Sequence, residues 1–192
     1  RKVHLISDAR FDEQIKRDAP HAVSHIRSNG LSDELIKISE KINLKNIAVQ
    51  AQHFTVGQLQ LLSRKFRSKR LKAVTDGLIG QRSVKDRNEI TAIRQAIAIQ
   101  QQAYRRALKQ VTASMTEQQV VAVLEYEMRN LGADGPSFAT VVAAGANSSL
   151  PHAIPGPDKV KRGGIVLIDW GARYRGYCSD MTRVIAVGRM PA

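Results

Sequence analysis

The stretch VLIDWGARYRGYCSDMTR, residues 166–183, places two aspartates among apolar and aromatic residues. Val166, Leu167 and Ile168 read as a strand heading into a core, yet that run ends on Asp169. Met181 and Val184–Val187 read the same way on the far side of Asp180. Gly176, with Arg175 before it, is the best turn residue between the two runs. A loop centred on that pair sets Tyr174 opposite Tyr177, so paired residue numbers sum to 351. Asp169 then faces Thr182 and Asp180 faces Gly171. Both carboxylates lie on one side of the sheet, on a diagonal roughly 7–8 Å long between alpha carbons. A slip of one residue would send them to opposite faces.

Two anions that close repel unless a shared proton, a basic residue or metal ions compensate them. Two divalent ions roughly 3.5–4 Å apart would do so best, with the carboxylates chelating or bridging. The missing side chain at Gly171 leaves room beside them. All-oxygen donors suit Mn²⁺ or another hard ion, with Co²⁺ and Zn²⁺ as alternatives. The spacing also permits a plainer reading. Asp169 can bond turn amides, and Asp180 can pair with Arg183 or Arg173. The spacing alone leaves both readings open.

The elements around this hairpin change character along the chain. Up to about residue 80, short apolar runs alternate with amphipathic ones. Strand candidates are residues 3–7, 22–26, 46–50 and 71–74. Helices are expected from Phe11 to Ala19, from a Ser32 cap to Lys41 with Leu35, Ile36 and Ile38 inward, and from a Thr55 cap to Phe66. Val56, Leu59, Leu62 and Phe66 should form the buried stripe of the third. This alternation implies a small α/β layer. The two glycines of TDGLIGQRSVK, residues 75–85, mark a boundary, giving domains of 1–80 and 81–192.

Beyond it, Asp86 with Glu89 forms a capping box for a helix running to about Val111, with Ile90, Ile93, Ile97, Tyr104, Ala107 and Val111 along its inner stripe. Thr116 with Gln119 caps a second helix, which turns Val120, Leu124, Met128 and Leu131 inward and stops at Gly132. A strand over 138–145, a Pro/Gly/Ser-rich loop over 146–164 and the hairpin complete the order.

Composition narrows the function classes. With 43% hydrophobic residues the chain can bury real cores, and no apolar run approaches the ~18 residues that span a bilayer. Its one cysteine, Cys178, excludes an internal disulfide and a multi-cysteine zinc site. A reducing, cytoplasmic setting follows, with no membrane partner. Net charge is +13, and residues 1–85 carry 17 basic and 8 acidic side chains. The densest patch, RKFRSKRLK at 64–72, offers a phosphate or nucleic-acid surface on one reading. On the other, its cations complement a helix C-terminus. Aromatic interleaving is limited to Phe66, so nucleic acid is not the expected partner. The chain starts inside an apparent strand and stops after another, so a fragment at both ends is expected.

Several stretches together resemble the metal-dependent aminopeptidases of the pita-bread fold, in their Xaa-Pro aminopeptidase and prolidase branch. They are DARFDEQ (8–14), RSVKDRNEITAIRQA (82–96), TEQQVVAVLEYEMRNLGADGPSF (116–138), VVAAGANSSLPHA (141–153) and GGIVLIDWGARYRGYCSDMTRVIAVG (163–188). Their order and spacing match across essentially the whole chain. The resemblance implies a partial N-terminal α/β domain followed by the first half of an α+β pita-bread catalytic domain. By position, Asp169 and Asp180 match metal ligands of a dinuclear centre, with Asp180 bridging, and His152 matches a histidine that contacts substrate. Without the resemblance His152 reads as a loop histidine bonded to backbone. Tyr174 and Tyr177 read as hairpin packing, and Cys178 as a small buried residue.

The implied activity is removal of an N-terminal residue, ahead of proline, by a hydroxide shared between two divalent metal ions. The implied partner is a peptide with proline at its second position, and homodimers are common in the family. The family also needs a histidine and two glutamates from the second half of its fold. The twelve residues after Asp180, MTRVIAVGRMPA, contain neither type. The chain is therefore expected to be a piece of a longer enzyme, with negligible activity alone. The competing class is a non-catalytic pita-bread protein that binds peptides, histones or nucleic acid. Retention of both aspartates with His152 speaks for the enzyme.

Overall fold

A computed structural model describes residues 2–66, 70–75 and 78–189. Part of the basic stretch 64–72, part of the glycine-containing boundary segment and the last three residues lie outside these. The chain divides into two compact units, Arg1–Val84 and Lys85–Ala192.

The first unit alternates strand and helix: β1 (His4–Ser7), α1 (Asp12–Asp18), β2 (Val23–Ile26), α2 (Leu31–Lys41), β3 (Asn46–Gln50), α3 (Val56–Lys65), β4 (Arg70–Val74) and α4 (Ile79–Ser83). Strands β1 and β2 pair in parallel, and so do β3 and β4. Each pair is joined through a helix, as parallel pairing requires. Val49, Leu62 and Phe66 form the centre of a small core, with Leu35, Ile36, Leu59 and Leu71 against it. Thr55 and Gln58 close the capping box of α3, and Arg64 and Lys65 occupy its last turn.

Two sequence expectations fail here. Ser32 is not the cap of α2: Gly30 holds the extended cap position, and Ser32 is already the second residue of the helix. Val56, the first residue of α3, is 73% exposed rather than part of the buried stripe.

The second unit opens on α5 (Arg87–Leu108), capped by the predicted Asp86–Glu89 box, followed by α6 (Glu117–Asn130) with its Thr116–Gln119 box. Gly132, at φ +93°, ends the second helix. Strands β5 (Gly135–Pro136), β6 (Val141–Ala144), β7 (Ile165–Trp170), β8 (Ala172–Tyr174), β9 (Tyr177–Cys178) and β10 (Met181–Ala186) follow. They form two antiparallel three-stranded sheets, ordered β10-β7-β6 and β5-β8-β9.

Helices α5 and α6 supply most of the helical side of the core, with Trp170, Ile168, Val142 and Leu124 at its centre. The inner face of α5 agrees with the expected one toward its end, where Ala107 is buried and Tyr104 and Val111 pack on the core, and differs before that. Ala92, Ala96, Ile99, Gln100, Ala103 and Ala107 are buried, whereas Ile90 and Ile97 are each 39% exposed. Alanines let the helix axis approach the sheet closely, so the tightest contact runs along the small residues rather than the isoleucines. The buried Gln100 amide donates to the Trp170 carbonyl, which ties α5 to the end of β7.

Candidate functional site

The hairpin adopts the register that the turn residues dictate. Arg175 and Gly176 both have positive φ, 49° and 80°, which is the geometry of a two-residue turn matched to strand twist. Tyr174 pairs with Tyr177, Arg173 with Cys178, and Asp169 with Thr182. All three pairs sum to 351, the register that the Arg175–Gly176 turn predicts.

Between these pairs the hairpin breaks. Strand β7 belongs to one sheet and β8 to the other, and Gly171 is the joint. A Cβ at Gly171 would sit 1.9 Å from the Ser179 carbonyl oxygen and 2.0 Å from Ser137 Oγ. The glycine therefore admits another stretch of backbone, and the expectation that it leaves room for metal ions is overturned. Ser137 Oγ donates to that same Ser179 carbonyl at 2.7 Å, and the Ala172 amide donates to Ser179 Oγ at 3.0 Å. These bonds fix the residue immediately before Asp180.

Asp169, the fifth residue of β7, is half-buried, and its Oδ1 accepts a 2.8 Å hydrogen bond from Thr182 Oγ1. Asp180 lies in the short link between β9 and β10 and is exposed, so it is not a buried strand anion as the sequence suggested. His152 is also exposed, on the loop that follows β6. All three line one cleft of about 500 Å³, with Phe138, Thr140, Val141, Pro151 and Ile154 around them.

Neither aspartate forms an ion pair among the described residues. In particular, Arg183 does not serve as the partner of Asp180: its Nη1 donates to the Thr182 carbonyl. Two carboxylates thus open onto one cleft without a protein cation beside them. Among the described residues no group of three or more His, Cys, Asp or Glu side chains converges as a metal site would. The donors present, two carboxylates and a nearby imidazole, are those that hard or borderline divalent ions accept.

Cys178 is exposed, against the sequence expectation. It pairs with the exposed Arg173 in the two-residue β9, and strand alternation turns both outward. Tyr174 packs at the edge of the core, while the Tyr177 hydroxyl donates to Glu89 Oε1 at 2.8 Å. Glu89 therefore caps α5 and holds the hairpin at once.

Sequence reasoning missed Glu117, which is fully buried. It follows the cap Thr116 and looks like an ordinary first-turn acid. No pattern in the surrounding residues marks it as anything else.

The family model described as "Metallopeptidase family M24" matches residues 91–192. An Xaa-Pro dipeptidase of Pyrococcus horikoshii is 36% identical over 156 residues, covering 81% of this chain and 44% of that protein. The crystal structure of an X-Pro aminopeptidase from Thermotoga maritima superposes with a TM-score of 0.89 at 35% identity, covering 98% of this chain and 53% of the other. The prolidase from Pyrococcus furiosus gives 0.82 at 30% identity, covering 98% and 54%. The chain spans about half the length of the curated relatives it matches. Its two units have the α/β content of a partial pita-bread protein.

Proposed function

The chain belongs to metallopeptidase family M24, and from that membership we propose that the protein is a metal-dependent exopeptidase cleaving the bond ahead of a proline, of the Xaa-Pro aminopeptidase or prolidase kind. One observation carries the reading. Asp169, Asp180 and His152 come together in a single cleft, and among the described residues no cation pairs with either carboxylate.

In this reading Asp169 and Asp180 hold divalent metal, a pair of ions with Mn²⁺ the best fit to oxygen donors. Bound metal supplies a nucleophile at neutral pH and polarises the scissile carbonyl. The chain's own residues do the rest. Thr182 holds one oxygen of Asp169, which leaves the other directed to bind. Ser137 and Ser179 set the backbone from which Asp180 projects. His152 contacts the substrate and donates or accepts at its reacting amide. Two carboxylates are fewer donors than a pair of such ions takes, so further ligands, water among them, would complete the set. A peptide with proline at its second position is the substrate.

Calorimetry with Mn²⁺ tests this on the protein that carries this chain. Binding should vanish in the Asp169→Ala/Asp180→Ala variant, together with cleavage of an Xaa-Pro dipeptide or tripeptide. Failure of the unaltered protein to bind, or binding that survives the double substitution, would leave the non-catalytic pita-bread reading in its place.

A further inference from the structure

The loop that bears His152 is held by one carboxylate from helix α6. Glu117, the first residue of α6, has no exposed surface. Its Oε1 accepts from the Ala144 amide at 2.7 Å and from Asn147 Nδ2 at 3.1 Å. Its Oε2 accepts from the Gly156 amide at 2.8 Å. The backbone around it adds two more ties: the Glu117 amide donates to Asp158 O, and the Gln118 amide to Gly156 O. Asn147 Nδ2 also donates to Asp158 Oδ2 at 3.0 Å.

The segment from 144 to 158 is thus gathered at its start, in its first turn and near its end onto a single side chain. Its middle, Leu150 to Ala153, is braced by short-range bonds from Leu150 N to Asn147 O and from Ala153 N to Leu150 O. Only His152 and its apolar neighbours are left facing the cleft.

A buried carboxylate is costly unless its oxygens are satisfied. Here three N–H groups satisfy it, and the positive end of α6 favours its charge. A core position that merely needed filling would take an apolar side chain, without three converging donors. We infer that Glu117 is a positioning residue, a clamp that holds His152 at the working distance from Asp169 and Asp180. The inference rests on the proposed role of His152 in the cleft.

Glu117→Gln keeps the volume and one acceptor oxygen, but it sets an amide N–H₂ against the Gly156 N–H. In the protein that carries this chain, the substitution should speed hydrogen exchange at the Ala144 and Gly156 amides. It should lower kcat about ten- to a hundredfold, the range for small misplacement of a reacting group, with KM within about twofold. In a His152→Ala background the same change should cost less than about twofold, because the clamp acts through that imidazole. Asn147→Ala, which removes one of the three donors, should show a smaller loss with the same dependence on His152.

Equal losses in both backgrounds, or no loss in either, would overturn the clamp. If His152→Ala by itself left kcat unchanged, the proposed role of His152 would fall, and this inference with it. The two failures are therefore distinguishable.

Discussion

Substituting Gly171 by alanine is the sharpest test of how the hairpin carries its aspartates. Gly171 does not have a positive φ, so the cost does not come from backbone conformation. It comes from contact. The new methyl carbon would lie 1.9 Å from the Ser179 carbonyl oxygen, where ordinary contact begins near 3.4 Å. The carbonyl would have to retreat by roughly 1.5 Å, the difference between those two distances. Neither obstacle is the free end of a flexible side chain. One is backbone, and the other, Ser137 Oγ, is already hydrogen-bonded to it.

Forcing an atom into such a site costs about 1–3 kcal/mol. Each hydrogen bond broken in making way adds about 1 kcal/mol. The Ser137 bond to the Ser179 carbonyl and the Ala172 bond to Ser179 Oγ both stand in that path. The expected destabilisation is therefore about 3–5 kcal/mol, at the upper end for a single substitution. Trp170 gives the readout, since it is the chain's one tryptophan, is fully buried and is the immediate neighbour of Gly171. With a urea slope of about 1–3 kcal/mol/M, its fluorescence midpoint should fall by more than 1 M. Gly176→Ala is the control: nothing lies within 4 Å of its Cβ position, and its φ of +80° alone should cost about 1–2 kcal/mol. A midpoint shift for Gly171→Ala no larger than that of the control would refute the argument from close approach.

Two further outcomes follow from the surface. The Arg10 guanidinium, hydrogen-bonded to Asp8 through two nitrogens, holds that carboxyl at about 2, helped by the Arg10 amide and by the charges of Arg10 and Arg27. A group with a depressed folded value favours the fold above its ordinary 3.8, and that contribution disappears as pH falls toward 2. Carboxyl NMR should place the Asp8 midpoint near the lower value, and Arg10→Ala should return it toward the ordinary one; an unchanged midpoint in the variant would rule out the arginine as cause. The exposed Cys178 should react with one equivalent of a thiol reagent in the native protein, and a requirement for denaturant would show that the residue is buried after all.

What the amino-acid sequence determined by itself was decided over short distances along the chain. The Arg175–Gly176 turn, the Thr55 cap, the two capping boxes at Asp86 and Thr116 and the stop at Gly132 each depend on residues within a few positions of one another. The turn then propagated, because a two-residue loop sets every pair of the hairpin, and Asp169 came to face Thr182 as expected. The wording around Asp169, Asp180 and His152 was specific enough to carry the family.

What only the tertiary structure decided lies where remote segments meet. The first half of the α5 face was misread, with Ile90 and Ile97 taken over Ala92 and Ala96, because alanines weigh little in a hydrophobic pattern, although small residues are what close packing on a sheet selects. The Gly171 joint depends on Ser137 and Ser179, and its missing side chain is filled by backbone from the link between β9 and β10. Glu117 owes its burial to partners 27 to 39 residues away. A local pattern records what a residue prefers, whereas a buried hydrogen bond also depends on which distant donor the fold brings to it.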